Sequence, residues 1–336
     1  MIGPRGKREW AAQLLHQTGC ERVFRLAPTW RGVLVLNYHR IGVATHQLGD
    51  HALWSATPED FERQLGWLQK HFDIITLDDL ERIWPVKSGR YVLLTFDDGY
   101  LDNYTEAYRI LRQRRVPAVF FVTTGFIDHA RVPWWDEIAW MVRHSRLEEL
   151  PALAWTGMPI SLVAGWRERA IQRLLGLYKR LPGDRAEVFL NDLAEALQTG
   201  RCPVDWGQEL WMTWPMLREM QQAGMEIGAH TVTHPVLSRL PLEQQEDEIQ
   251  QSRQRIEQQL GRRVRAFSYP VGGRASFTHE TEQLLQKHGF DWGFTFEGGL
   301  IRPRHENRWA LPRTAVEQDV DEAHFQAMLC LPQWFS

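Results

Sequence analysis

Two short segments of the sequence combine carboxylates and histidines in a way that hydrolytic metal sites use. The apolar stretch LLTF ends in Asp97 and Asp98, which are followed by a glycine. Far downstream, the stretch EIGA ends in His230, and His234 follows shortly afterwards. Two histidines and one carboxylate can hold a divalent cation while leaving positions open for water and substrate. Taken singly, the aspartates also fit a turn or a helix N-cap, and the histidines also fit an exposed surface.

This chemistry needs a scaffold that brings the two segments together. Helix-like segments alternate with apolar runs along the chain, a pattern typical of buried parallel strands joined by helices. Active sites of such folds collect at the carboxyl ends of the strands, where both segments lie. Predicted helices run from Thr57 to about Lys70 and from Pro241 to Gly261. The predicted strands are Val33–Tyr38, Tyr91–Phe96, Ala118–Thr123, Glu226–Ala229, Ala266–Tyr269 and Trp292–Thr295.

Two further strand ends carry ionisable groups. The segment that begins at Arg265 reads RAFSYPVGG, and an arginine beside a carboxylate lowers the carboxyl pKa and fixes its orientation. The N-terminal run VLVLNYHRIG places His39 after a buried strand, where an ionisable group is costly unless it is hydrogen-bonded or coordinated. Taken alone, the first segment is a strand followed by a Pro/Gly turn, and the second is a histidine hydrogen-bonded at a strand end.

Together, these segments resemble the NodB-type polysaccharide deacetylases of carbohydrate esterase family 4. Thr95–Gly99 matches the first family motif, Thr-Phe-Asp-Asp-Gly, and His230–His234 matches the second, His-[Ser/Thr]-x-x-His. The third motif is an arginine followed by a proline and a glycine, and Arg265, Pro270 and Gly272 match it. A valine stands where this motif usually has an aromatic residue. The three motifs follow the family order.

The resemblance implies an activity, a fold and a set of residue roles. The activity is metal-dependent removal of N-acetyl groups from an amino-sugar glycan, and the fold is an α/β, distorted (β/α) barrel with fewer than eight strands. The metal ligands are then Asp98, His230 and His234. Asp97 is the general base, and Arg265 orients it. This ligand set suits Zn²⁺ best and also accepts Co²⁺, Ni²⁺ or Fe²⁺.

The general acid of the family has no counterpart at its usual place. Family members carry a late Leu-x-His whose histidine protonates the leaving amine, and no histidine after Gly273 stands in that pattern. The Tyr-His pair near the N-terminus resembles instead the branch that includes poly-N-acetylglucosamine deacetylases, in which the strand with the acid histidine comes first. The segment NRWALPR at 307–313 resembles the closing strand of that branch. We therefore expect His39 to be the general acid, with His305 as the alternative.

A tryptophan-rich, helix-like stretch from about 131 to 210 interrupts the alternation of strands and helices. We interpret 31–336 as one barrel domain that carries this stretch as a mostly helical insertion, and 1–30 as an N-terminal helical extension. Aromatic side chains offer rigid faces that stack on sugars. The residues expected to contact the substrate are Tyr100, Trp134, Trp135, Asp136 and Pro270.

Composition and charge exclude several classes of partner. The 39 basic and 42 acidic residues give a formal charge of −3, so there is no sequence-wide positive field to bind nucleic acid. The 3 cysteines are far apart and form no CxxC pair, which excludes a disulfide framework and a cysteine zinc site. No window approaches the roughly 18 to 20 apolar residues of a membrane span, and no secretion signal is evident. We expect a cytoplasmic protein whose oligomeric state the sequence leaves open.

Two other functions stay open beside the deacetylase. The same residues could hydrolyse another amide, such as the formyl group of a lipid-linked amino sugar or a small cyclic amide. The expected partner is accordingly an N-acetylated glycan or a glycolipid. Alternatively, the chain could be a catalytically silent carbohydrate-binding protein. The presence of Asp97 beside the predicted metal ligands argues against that alternative, because a pure binder needs no base beside a metal.

Overall fold

The computed structural model describes residues 30–44, 49–85, 89–302 and 306–335. The predicted N-terminal extension, apart from Trp30, therefore lies outside the described residues. The strands in the described part of the chain are β1 (Gly32–Tyr38), β2 (Arg40–Ile41), β3 (Trp54–Ala56), β4 (Asp73–Ile74), β5 (Arg90–Phe96), β6 (Val119–Val122), β7 (Glu149–Leu150), β8 (Ile160–Ser161), β9 (Glu226–Ala229), β10 (Ala266–Ser268), β11 (Trp292–Phe294) and β12 (Thr314–Ala315).

Seven of these strands form one curved parallel sheet in the order β11-β10-β9-β6-β5-β1-β12, and the short β4 pairs with the first half of β5. The segment before β12 joins the two ends of this sheet. Gly293 in β11 donates a backbone hydrogen bond to Arg308 and accepts one from Leu311, while Thr314 in β12 pairs with Leu36 in β1. The predicted α/β barrel is confirmed, and its carboxyl strand ends meet around one mouth.

Helices surround the barrel and connect its strands. The α-helices are α1 (Pro58–His71), α2 (Leu77–Ile83), α3 (Arg109–Arg114), α4 (Thr124–Asp128), α5 (Trp134–His144), α6 (Arg167–Tyr178), α7 (Ala186–Ala196), α8 (Trp214–Gln222), α9 (Leu242–Leu260), α10 (His279–Lys287), α11 (Glu322–Cys330) and α12 (Pro332–Phe335). A π-helical stretch, Asn103–Tyr108, precedes α3, and short 3₁₀ segments lie at His51–Leu53, Gly183–Arg185, Val204–Glu209 and Leu237–Arg239.

The ends of two helices follow from local sequence chemistry. Thr57 caps α1, since its hydroxyl accepts a hydrogen bond from the Asp60 backbone N–H at 3.1 Å, and a proline occupies the first helical position. Gly261 ends α9 in the left-handed conformation with φ 66°, which glycine adopts without strain. Ile249 and Ile256 of α9 are buried. Both helices therefore lie within a residue or so of their predicted bounds.

The stretch from 131 to 210 builds a separate apolar cluster beside the barrel. It contains α5, α6 and α7, and also a two-stranded antiparallel hairpin, β7-β8, which the sequence pattern did not predict. Ile138, Leu174 and Leu193 lie in this cluster, and Trp134 and Trp135 at the start of α5 join it. The first turn of α5 therefore belongs to the core of this stretch, while the division of the chain into an extension and a barrel stays a prediction.

A search of the described residues finds no helix that is both long and apolar enough to cross a membrane. This finding concerns the helices alone. The expected cytoplasmic location stays a prediction.

We predict that the apolar layer between the barrel strands and the surrounding helices contributes strongly to stability. Phe120 in β6 is fully buried and stacks on Phe96 with ring centroids 4.7 Å apart. Phe120→Ala is expected to lower the free energy of unfolding by about 3–5 kcal/mol, because it leaves a cavity between the strands and the helices that pack on them. Urea denaturation measures this loss. Val188→Ala, at a side chain that is 39% exposed, is the control and should cost about 0.5 kcal/mol or less; equal losses would contradict the prediction.

Candidate metal-dependent active site

The two adjacent aspartates after β5 occupy different surroundings. Asp97 still pairs with the neighbouring strand, because its N–H donates to the Tyr38 carbonyl at 3.0 Å. Asp98 adopts a left-handed conformation with φ 75°, and Gly99 follows with φ 90°. This sharp turn sends the two carboxylates toward different partners, so one can hold a cation while the other stays free of it.

Asp97 is held by the buried Arg313, which immediately precedes β12. The Arg313 guanidinium donates to both carboxylate oxygens, with Nη1 to Oδ1 at 2.8 Å and Nη2 to Oδ2 at 2.6 Å. Ser268 Oγ donates to Oδ2 at 3.2 Å, and the Asn37 amide donates to the same oxygen at 3.3 Å. Bidentate pairing of this kind fixes both the position and the plane of the carboxylate.

These contacts also determine the charge of Asp97. Burial is the largest single influence and favours the neutral carboxyl, but the Arg313 guanidinium and then His230 outweigh it. The net result is that the pKa of Asp97 lies below its usual value. Asp97 is therefore an ionised carboxylate near neutral pH and can accept a proton.

The prediction that Arg265 orients Asp97 is wrong. Arg265 precedes β10, at the end of the barrel opposite the aspartates, and its Nε donates to Asp291 at 2.8 Å while Nη1 pairs with Asp78. The role belongs to Arg313, which immediately precedes β12. The sequence contained a signal for the role of Arg313. The segment NRWALPR, which ends in Arg313, resembles a closing strand, and such a strand lies beside β1.

Asp98, His230 and His234 converge on one point. The Nε2 atoms of both histidines lie 3.4 Å from Asp98 Oδ1, and one ligand atom from each residue falls within 4.8 Å of the others. His230 Nδ1 contacts the Ser268 carbonyl at 2.7 Å. A proton on Nδ1 would donate to that carbonyl and leave the Nε2 lone pair directed at Asp98, as in metal-ligating histidines.

These residues fit a divalent cation. Asp98 Oδ1 is buried, with no hydrogen-bond partner among the described residues, although an unpaired buried carboxylate oxygen is costly. A cation between this oxygen and the two imidazoles would satisfy it. Two nitrogens and one carboxylate oxygen make the donor set of an open hydrolytic site, which suits Zn²⁺ and related ions.

The loop between the two histidines is strained and locally braced. Thr231 and His234 have φ values of 66° and 57°, a region that β-branched residues in particular avoid. Thr231 Oγ1 accepts the His234 N–H at 3.0 Å. The Glu248 carboxylate accepts the backbone N–H groups of Val232 and Thr233 at 2.7 and 2.9 Å. The His-x-x-x-His segment is therefore a tight loop.

A pocket of about 230 Å³ opens onto the three ligand residues and Asp97. His39, directly after β1, lines this pocket, as the sequence predicted for its position. Its ring packs edge-on against Phe296, with centroids 5.5 Å apart, and its backbone N–H donates to Ser55 Oγ at 2.9 Å. Burial lowers the pKa of His39, while the Asp98 and Asp97 carboxylates oppose that change. The alternative acid, His305, lies outside the described residues.

Two of the five expected substrate contacts reach the pocket. Trp134 and Trp135 line it, and the Trp135 ring packs against His234 with centroids 4.4 Å apart. Tyr100 and Asp136 are fully buried behind Trp135, where the Tyr100 hydroxyl donates to Asp136 Oδ2 and accepts from Trp135 Nε1, both at 2.7 Å. Pro270 is also buried, and the pocket wall contains its neighbours instead. Tyr100, Asp136 and Pro270 therefore support the pocket and do not line it.

The comparison with known protein families identifies the class of this site. The model of the polysaccharide deacetylase family matches residues 85–148 and 186–293, which include the aspartate pair and both histidines. The chain belongs to this family, a class of metal-dependent amide hydrolases that act as deacetylases. The stretch 149–185, in the middle of the predicted insertion, lies outside the match.

Individual relatives share both sequence and fold with the chain. YxkH of Bacillus subtilis is 22% identical over 275 residues, which make up 81% of this chain and 69% of YxkH. The poly-β-1,6-N-acetyl-D-glucosamine N-deacetylase of Staphylococcus aureus is 32% identical over 107 residues, covering 28% of this chain and 37% of that enzyme. The solved structure of Streptococcus pyogenes deacetylase PplD in complex with acetate matches with TM-score 0.58 at 18% identity, over 91% of this chain and 98% of that one. This last likeness shows that the two proteins share a fold.

We predict that the assignment of the arginine can be tested through stability. Arg313→Met leaves the buried Asp97 carboxylate unpaired and should lower the free energy of unfolding by about 3–5 kcal/mol. Arg265→Met removes only a partly exposed ion pair and should cost about 1 kcal/mol or less. Urea denaturation of both variants measures the difference. A larger loss for Arg265→Met would contradict the assignment.

We also predict one metal site per chain. Equilibrium dialysis with Zn²⁺ or Co²⁺, followed by elemental analysis, should give one equivalent for the parent protein. His230→Ala should weaken binding at least about tenfold, since even outer partners of metal ligands have effects of that size. His288→Ala, which removes a histidine that contacts Glu246 at 2.7 Å instead, is the matched control. Unchanged affinity in His230→Ala would rule out this site.

Proposed function

We propose that the protein removes N-acetyl groups from a polymer of N-acetylglucosamine, with Asp97 as general base and His39 as general acid. One observation supports this most strongly. The buried, ionised Asp97 carboxylate, which Arg313 holds in place, faces the same pocket as Asp98, His230 and His234. These three residues have ligand atoms that fit a divalent cation. The 32% identity to a poly-β-1,6-N-acetyl-D-glucosamine N-deacetylase favours this polymer as the substrate.

Each residue of the pocket would have a separate task. A divalent cation, when bound, polarises an amide carbonyl and makes water more acidic. Asp97 removes the proton from the attacking water, and the two hydrogen bonds from Arg313 keep its carboxylate in place while the charge changes. His39 gives a proton to the nitrogen as the carbon–nitrogen bond breaks. Because burial lowers the pKa of His39, its protonated form is a stronger acid than an exposed imidazolium.

The other functions are less well supported. Hydrolysis of a small cyclic amide or of a formyl group would use the same residues, but the Staphylococcus aureus and Streptococcus pyogenes relatives are deacetylases. A silent carbohydrate-binding protein would have no need for the Arg313 pair that keeps Asp97 ionised. We further propose that the bound metal is Zn²⁺, since two imidazoles and one carboxylate are a frequent zinc donor set.

We predict a specific pattern of losses when the base and the acid are removed. Asp97→Asn should lower acetate release from a β-1,6-linked N-acetylglucosamine tetramer by about 10²–10⁴-fold, as expected for loss of a general base. His39→Ala should cause a loss of similar size on the tetramer and a much smaller one on 4-nitrophenyl acetate, because the phenolate leaves without a proton. Acetate release and metal content would be measured on the same samples.

Two outcomes would contradict these roles. Equal losses of His39→Ala on the amide and on the ester would exclude His39 as the proton donor. His305→Ala serves as the matched comparison, and a selective loss on the amide in this variant would assign the acid to His305. Full activity of Asp97→Asn would remove Asp97 from the mechanism.

A further inference from the structure

One wall of the pocket carries polar groups that the proposed mechanism does not use. Asp50, Gln172 and Lys179 line the same pocket as Asp97 and His234. Gln172 lies on α6, and Lys179 follows directly after this helix. Both belong to the stretch 149–185 that the family model leaves unmatched. Gln172 and Lys179 of this wall therefore come from outside the residues that the family model matches.

Lys179 is a cation without a fixed partner. Burial lowers the pKa of its ammonium group, and the Asp50 carboxylate opposes that change. The described residues offer the Lys179 ammonium group no hydrogen bond and no direct ion pair, and the hydrogen bonds of this residue come from its backbone N–H, which donates to the Leu175 carbonyl. A partly buried ammonium group without a partner is unfavourable in the free protein, and a ligand in the pocket could supply the missing acceptor.

Asp50 is held firmly beside this lysine. Its backbone N–H donates to the buried Asp136 Oδ1 at 2.7 Å, and Arg143 donates to the Gly49 carbonyl. A Cβ atom at Gly49 would lie only 2.3 Å from Asp136 Oδ1, so the loop can approach α5 this closely only with glycine there. Asp136, which does not itself line the pocket, therefore acts as a positioning residue for Asp50.

The carboxylate of Asp50 can still accept a hydrogen bond from a ligand. Oδ1 accepts the Ala52 N–H at 3.1 Å and the Gln172 side chain at 3.4 Å. Among the described residues Oδ2 has no bonded donor, and burial raises the pKa of the carboxyl. The wall thus presents an acceptor from Asp50 and a donor from Lys179 to the same space.

We propose, building on the proposed function, that Asp50 and Lys179 bind hydroxyl groups of the sugar unit whose acetyl group is removed. A carboxylate and an ammonium group together match a polyol, in which every hydroxyl both donates and accepts. An anionic substituent fits less well, because Asp50 and the nearby Glu317 carboxylate line the same pocket. The inserted stretch then contributes to substrate specificity.

The test compares a sugar amide with a sugar-free ester. The metal-loaded full chain and its Lys179→Met and Asp50→Asn variants would be assayed on the β-1,6-linked N-acetylglucosamine tetramer and on 4-nitrophenyl acetate. The ratio of kcat/KM for the tetramer to that for the ester should fall about 10- to 100-fold, the size expected when a hydrogen bond to a charged group is lost. Arg180→Met, which removes an exposed cation next in sequence, is the matched control and should keep the ratio of the parent.

The outcomes separate this inference from the proposed function. A parent-like ratio in Lys179→Met, or equal losses on both substrates, would overturn the hydroxyl-binding role. If the parent releases no acetate from the tetramer, the proposed function fails, and calorimetry of tetramer binding decides the role of the pair. Weaker binding by Lys179→Met than by Arg180→Met would then support the pair, and equal binding would overturn it.

Discussion

The buried ion pair between Arg313 and Asp97 is the interaction on which the site depends. Both side chains are almost completely buried. Arg313 is the last residue of the segment 307–313, called here the closing segment, and Asp97 directly follows β5. Two charges can stay in such surroundings only if each satisfies the other with good geometry. Closure of the barrel supplies that geometry, because the segment before β12 lies between β11 and β1. The charge state of Asp97 therefore depends on the folding of the closing segment.

The second constraint is backbone strain at the mouth of the barrel. Of six described non-glycine residues with positive φ, four lie at the site: Asp98, Thr231, His234 and Val271. Each such conformation costs about 1–3 kcal/mol unless the surroundings enforce it. Here the strained backbone conformations bring Asp98 and both histidines to one point. A cation bound there would offset part of this strain, so that metal binding and the ordered conformation of these loops stabilise each other.

Sequence reasoning located six of the seven strands of the curved sheet, two helix ends and the three residues that converge at the candidate metal site, because each depends on local chemistry. Apolar runs mark buried strands, Thr57 and Gly261 mark helix ends, and motif spacing marks the ligands. The sequence analysis chose Arg265 as the orienting arginine because it belongs to the third family motif. Arg265, however, lies at the amino end of β10, whereas the site lies at the carboxyl ends of the strands. Arg313 reaches Asp97 only through barrel closure, a long-range contact that no local pattern encodes. Besides the segment NRWALPR, the polar Asn37 inside an apolar strand was a further hint, since it contacts both residues.

We propose that one cation, held by Asp98 and the two histidines, makes the Asp97 carboxylate catalytically effective. The most direct measurement is a titration of the metal-stripped protein with Co²⁺ while acetate release from the β-1,6-linked N-acetylglucosamine tetramer is followed. We expect no activity without metal, a linear rise as Co²⁺ is added, and a plateau at one equivalent per chain. Undiminished acetate release by the metal-stripped protein, or loaded protein that releases none, would contradict it.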